Sequence, residues 1–84
     1  MCVRLGMPPI SRPTPCFLDQ CKRLGFVNGE LRWSSFDGKR IYTWDSLHGE
    51  IEVFNHRGRH LAVLDAATGR SNGKPAVPGR KIDV

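Results

Sequence analysis

From residue 31 onward, apolar and polar positions alternate over short runs. Turn pairs interrupt them at regular intervals: Asn28-Gly29, Asp37-Gly38, Arg57-Gly58, Thr68-Gly69, Asn72-Gly73 and Pro78-Gly79. Alternation at period two gives a strand one buried face, and the turn pairs reverse the chain, so the pattern predicts an antiparallel meander. Strands are expected over residues 31–35, 39–44, 49–55, 59–65 and 79–83, with 55–59 a tight hairpin turn. The first thirteen residues hold Pro8, Pro9 and Pro13 and read as an irregular lead-in. Thr14-Pro15 then offers an N-cap with proline at the first helical position, and Gly25 offers a stop. A short helix over 15–24 is expected between them, with Cys16, Phe17, Leu18, Cys21 and Leu24 spaced to give one apolar face. The fold class expected is mainly β: a small, strongly twisted antiparallel sheet (residues 31–84) preceded by a lead-in and one short N-terminal helix (residues 1–30).

Composition narrows this picture without redrawing it. At 84 residues, 39% hydrophobic and 25% charged, the chain has room for one thin core and lacks the composition of disorder or of a coiled coil. No apolar run has the length of a membrane span, and Met1 is not followed by the apolar stretch of a signal peptide, so membrane insertion by this chain is not expected. Cys2, Cys16 and Cys21 are odd in number and clustered, which argues against a disulfide framework. They suggest a reducing, cytoplasmic working place, with Cys16 and Cys21 as small buried hydrophobes. Lys and Arg outnumber Asp and Glu by 13 to 8, a net charge of +5, which favours a polyanionic partner.

Against that basic background, three carboxylates and a histidine crowd into Asp45-Ser46-Leu47-His48-Gly49-Glu50-Ile51-Glu52. On a strand, residues two apart share a face about 6.8 Å from one another, so Glu50 and Glu52 line one face while Ile51 and Val53 line the other. His48 shares the glutamates' parity, and Asp45 lies just upstream. Two neighbouring acids need a cation over them, for which Arg40, Arg57, Arg59 and Arg80 are the candidates. A histidine beside a carboxylate, with a glutamate further along one rigid face, is equipment for acid–base chemistry on a phosphodiester; the bland alternative is a solvated strand face. The spacings Cys16-x4-Cys21 and His56-x3-His60 superficially suit zinc. The interval between the pairs is too long for a finger, however, and His56–His60 spans a turn, so no metal site is expected.

Residues 32–84 resemble the cytotoxic ribonuclease domain of those E-group colicins that cut 16S ribosomal RNA, and related bacterial toxin C-termini. The resemblance rests on Arg32-Trp33, the ungapped stretch Gly38-x-Arg-Ile-Tyr-x-Trp-Asp-Ser-x-His-Gly-Glu-Ile-Glu through Glu52, Gly58-x-His60-Leu61, Asp65-x-x-Thr68-Gly69, Gly73-Lys74-Pro75 and Arg80. It implies a metal-independent endoribonuclease toxin that works without a cofactor and cleaves at the ribosomal decoding site. Asp45, His48, Glu52 and Arg80 would be catalytic, with Glu50, Tyr42 and His60 in support and Arg40, Arg57, Arg59, Lys74 and Lys81 meeting RNA. Residue types alone allow either Glu52 or His48 to take the first proton.

The partners implied are 16S rRNA in the small subunit and an acidic immunity or antitoxin protein. The place of action is the bacterial cytoplasm, reached through a secreted parent protein or as a free-standing product. The family's lysine-rich approach to Arg32-Trp33 is replaced here by Asn28-Gly29-Glu30-Leu31, and its basic tail is shortened to Arg80-Lys81-Ile82-Asp83-Val84, which implies weaker and less salt-sensitive ribosome binding. The readings from other classes are a non-catalytic RNA- or ribosome-binding module, and a general endoribonuclease acting on tRNA or mRNA.

Overall fold

A computed structural model describes residues 9–84. Most of the expected lead-in, with Cys2 and Pro8, lies outside the described residues. Five strands form one antiparallel sheet in sequence order: β1 (Lys22–Val27), β2 (Glu30–Ser34), β3 (Arg40–Asp45), β4 (Glu50–Asn55) and β5 (His60–Asp65). The chain is mainly β, and β2 to β5 fall on the first four predicted strands within about a residue at each end.

Two expected elements differ. The segment 15–24 is not a helix: a single 3-10 turn (Phe17–Gln20) occupies its middle, and Cys21 leads directly into β1. The helical reading needed Leu24 on a buried face, but Leu24 is exposed and sits at a bulge between Arg23 and Gly25. Gly25, at φ +88°, serves that bulge and not a helix stop. The stronger local signal lay at Asn28-Gly29, whose φ values of 52° and 78° are those of a two-residue hairpin turn with both residues left-handed. That turn folds β1 back on β2 and gives β2's outer N–H and C=O groups partners, so the sheet starts at Lys22, well ahead of residue 31. The predicted strand at 79–83 is the second difference. It reduces to an isolated bridge between Arg59 and Lys81, because residues 72–84 form an irregular strap.

In-register pairing settles which side chains share a face. Trp33, Tyr42 and Val53 are aligned across β2, β3 and β4, and Trp44 lies opposite Ile51. Cys16, Leu18 and Ala66 close over this face to complete the core. Phe17 meets Tyr42 edge to face at 5.6 Å. The turn after β5 supports this cover: Asp65 Oδ1 accepts from the Ala67 and Thr68 N–H groups and the Thr68 hydroxyl, and the Phe17 N–H donates to the Ala66 carbonyl. Ile51 is fully buried and Val53 nearly so. Each such side chain contributes about 1.5 to 3 kcal/mol, and a one-residue slip of β4 would exchange them for Glu50 and Glu52. The core therefore fixes where the acids point.

The C-terminal strap is held at the other end of the sheet through Gly58. Its carbonyl accepts from the Ile82 N–H at 2.8 Å, and its φ of +85° is left-handed. A Cβ there would collide with the Ile82 carbonyl oxygen. Gly58→Ala is expected to cost about 1 to 3 kcal/mol through strain and loss of this contact. A melting temperature equal to that of the parent protein would contradict it.

Candidate active site

Asp45 ends β3, and its carboxylate organises the turn that follows. Oδ1 accepts from the Leu47 and His48 N–H groups at 3.0 and 3.2 Å, and Gly49, at φ +69°, returns the chain to β4. With Oδ1 fixed by backbone, Oδ2 is presented to His48 Nδ1 at 2.7 Å. The His48 ring is more than half exposed, and Nε2 is its nitrogen left to exchange a proton. His48 thus belongs to the turn, not to β4 as strand parity implied. Burial pushes the Asp45 carboxyl up, but the bonds from the His48 ring, the His48 N–H and the Leu47 N–H outweigh it and hold the group below its ordinary value. A depressed carboxylate stabilises the fold above its unfolded pKa, about 3.9, and that stability is lost as pH falls through the lower folded value. Asp45→Asn should therefore show a shallower loss of stability than the parent below about pH 4. Urea midpoints measured in acid for the two proteins check this, and parallel curves would contradict it.

Glu50 and Glu52 lie on the face of β4 opposite the core, as the alternation predicted, and Glu50 is directly across from Asp45. The strap supplies their partners. Lys74 Nζ donates to Glu50 Oε1 at 2.7 Å and Asn72 Nδ2 to Oε2 at 2.5 Å. Arg80 Nη1 donates to Glu52 Oε1 at 2.6 Å. The cations over the acids are thus Lys74 and Arg80; of the four arginines anticipated for this task, Arg40, Arg57 and Arg59 do not reach them.

His60 completes the arrangement. Its side chain is fully buried, with Nε2 2.6 Å from Glu52 Oε2. The Val77 N–H donates to Nδ1 at 2.9 Å, so Nδ1 is the acceptor and Nε2 carries the proton given to Glu52. Glu52 therefore has one oxygen held from within the sheet and the other held by a half-exposed arginine. Only the second hold opens easily to solvent.

Asp45, His48, Glu50, Glu52, Lys74 and Arg80 line one open cleft of about 620 Å³, and His60 is buried behind Glu52, outside its lining. Tyr42 is not among them: it is buried in the core on the opposite face, and burial pushes its phenol up. Arg40, Arg57, Arg59 and Lys81 are exposed but lie outside the cleft. The two cysteines and two histidines considered for zinc are not brought together. Among the described residues, only Asp45, His48 and Glu50 gather three metal-type donors, within 4.8 Å, and two of these three are already joined by the Asp45–His48 bond. Cys16 is buried and Cys21 half-buried, both free.

Sequence reasoning passed over Asn72 and the Val77 N–H, whose contacts span 22 and 17 residues and leave no periodic trace. It also gave no role to Arg32, which is buried and bonds Glu30 Oε1 at 3.2 Å and the Asp83 carbonyl, pinning the strap's end to β2.

The chain is similar in sequence to known proteins. Colicin E3 of Escherichia coli is 46% identical over 52 residues. Colicin-E6 and cloacin, also of Escherichia coli, are each 40% identical over 52 residues. Each alignment covers 61% of this chain and 9% of the relative, so the chain corresponds to a small part of those proteins. The family model described as Cytotoxic matches residues 19–83, from the 3-10 turn through all five strands to the strap. A match across that much of the chain shows that it belongs to the Cytotoxic family, the colicin-type cytotoxic domain.

Proposed function

We propose that this chain is a metal-independent endoribonuclease toxin that cleaves 16S rRNA at the ribosomal decoding site and so stops translation. The observation that carries the reading is the convergence, in one cleft, of the Asp45–His48 pair with Glu52 and Arg80. Glu52 takes the proton of a 2′-hydroxyl, whose oxygen attacks the adjacent phosphorus. The bond to the 5′-oxygen breaks, and His48 protonates that oxygen from Nε2, giving a 2′,3′-cyclic phosphate and a 5′-hydroxyl. Asp45 holds the ring in place through Nδ1, as the third member of a catalytic triad does.

Glu52 at rest has no free oxygen, which bears on the order of events. An arriving phosphate competes for Arg80, drawing it from Oε1 to the phosphoryl oxygens, where it offsets the charge of the phosphorane. Oε1 is then released beside the 2′-hydroxyl, while His60 still holds Oε2. Substrate binding thus frees the base, which favours Glu52 for the first proton.

The substrate is 16S rRNA in the small subunit, and an acidic immunity or antitoxin protein neutralises the basic surface before delivery. The site of action is the bacterial cytoplasm, reached from a secreted parent protein. No helix among the described residues is long and apolar enough to cross a membrane. Incubating purified ribosomes with the protein in EDTA, followed by primer extension, tests the reading. One cut near the 3′ end of 16S rRNA is expected; no cut would leave a binding module, and many cuts elsewhere a general endoribonuclease.

A further inference from the structure

The end of the sheet away from His48 is built from two adjacent turns. One follows β2 and is closed by the Ser35 N–H donating to the Arg40 carbonyl at 3.0 Å. The other follows β4, where Asn55 Oδ1 accepts from the Arg57 and Arg59 N–H groups at 2.9 and 3.0 Å. Arg40 pairs in register with Asn55, so the two turns stand side by side. Phe36, at the tip of the first, is 80% exposed, the most exposed large hydrophobic side chain among the described residues. It adds nothing to the core, and a polar residue would serve the turn equally well.

The charges around it differ from those of the cleft. Lys74 and Arg80 in the cleft are committed to glutamates. Lys39, Arg40, Arg57 and Arg59 are all exposed, and among the described residues none of them makes an ion pair. The acids at this end are Asp37 and Asp83. Asp37 Oδ1 is tied into its own turn by the Ser35 hydroxyl and the Lys39 N–H at 2.6 and 2.9 Å, and Asp83 lies on the strap. An aromatic face beside uncommitted cations is the combination that holds single-stranded nucleic acid: the ring stacks a base and the cations take the flanking phosphates. A lone exposed phenylalanine is ordinary on a protein surface; one at the tip of two neighbouring turns that carry four exposed cations outside any ion pair is placed for a polyanion with aromatic bases.

We propose that Phe36 is a stacking platform for an unpaired base of the RNA substrate, with Lys39, Arg40, Arg57 and Arg59 contacting the phosphates on either side. This rests on the ribonuclease reading and extends it. From Arg40 to Asp45 is five strand steps, about 17 Å, so a strand seated in the cleft reaches the platform a few nucleotides from the cut. The site then sets affinity and the length of unpaired RNA required, leaving the chemistry to the cleft.

The test uses the full chain with His48→Ala to prevent cleavage, and a short single-stranded oligoadenylate as probe. Phe36→Ala in that background should weaken binding about 10-fold, the order of one lost base stack, with no change in melting temperature. Phe36→Trp should restore binding, and its added indole emission, taken against the parent's Trp33 and Trp44 signal, should fall when RNA is added. Arg40→Ala or Arg57→Ala should each reduce the log-log salt slope by about 0.7. Oligoadenylate binding that Phe36→Ala leaves unchanged, or an indole blind to RNA, overturns the proposal. So does a Phe36→Ala effect confined to binding of an acidic protein. Failure of the ribonuclease reading is seen separately, as intact 16S rRNA after incubation with the unmodified chain, and does not alter these binding readouts.

Discussion

Replacing His48 by alanine is expected to slow RNA cleavage about 10² to 10⁴-fold, the usual worth of a positioned acid or base, and to leave the fold intact. The second half follows from geometry. The side chain is more than half exposed, and its one hydrogen bond is to Asp45 Oδ2. The turn itself rests on Asp45 Oδ1 and the Gly49 N–H, which donates to the Asp45 carbonyl at 2.7 Å, and alanine keeps both. Single-turnover cleavage beside a thermal melt checks the pair of outcomes. A slow enzyme with a lowered melting temperature would point to a structural histidine, and undiminished cleavage would remove His48 from the mechanism.

Glu52→Gln is expected to lose activity on the same scale, for a different reason. Glutamine retains an oxygen that can accept the His60 Nε2–H, so the buried histidine keeps its partner and its tautomer. What disappears is the carboxylate, and with it both the proton acceptor and the hold on Arg80 at rest. The shape of the pH–rate profile separates the roles: ionisation of the base sets the acid limb, and loss of the acid's proton sets the alkaline limb. If Glu52 is the base, residual cleavage by Glu52→Gln should lose the acid limb, whereas His48→Ala should lose the alkaline one. The reverse assignment of limbs would make His48 the base, and full activity in Glu52→Gln would sink the scheme.

The parts legible in the sequence were those governed by local alternation and turn chemistry. Glu50 and Glu52 against Ile51 and Val53 is a period-two pattern, and β4 adopts it because the core would otherwise hold two acids. Asp45 and His48 are three residues apart and meet through one short turn, so their contact was within reach of sequence reasoning. β1 was missed where two local signals conflicted. Thr14-Pro15 and Gly25 resembled helix ends, while Asn28-Gly29 was noted as a turn without asking what strand must precede it. The pairing edge of β2, a tertiary demand, decided between them.

The strap was the least legible element. Its side chains reach the glutamates across 22 to 28 residues from an irregular backbone, so nothing in its own pattern distinguishes Lys74 and Arg80 from the chain's other cations. His60 likewise carries no signal in its own strand pattern, and only the resemblance gave it a supporting part. Its tautomer is set by a backbone N–H seventeen positions away.

The central claim is that this cleft cuts RNA by using the substrate's own 2′-hydroxyl as the nucleophile. Ribosomes carrying a single 2′-deoxy or 2′-O-methyl nucleotide on the 5′ side of the scissile phosphate test it most directly. The account predicts that these ribosomes stay intact while unmodified ones yield a 2′,3′-cyclic phosphate and a 5′-hydroxyl; cleavage of the modified RNA at the same bond would contradict it.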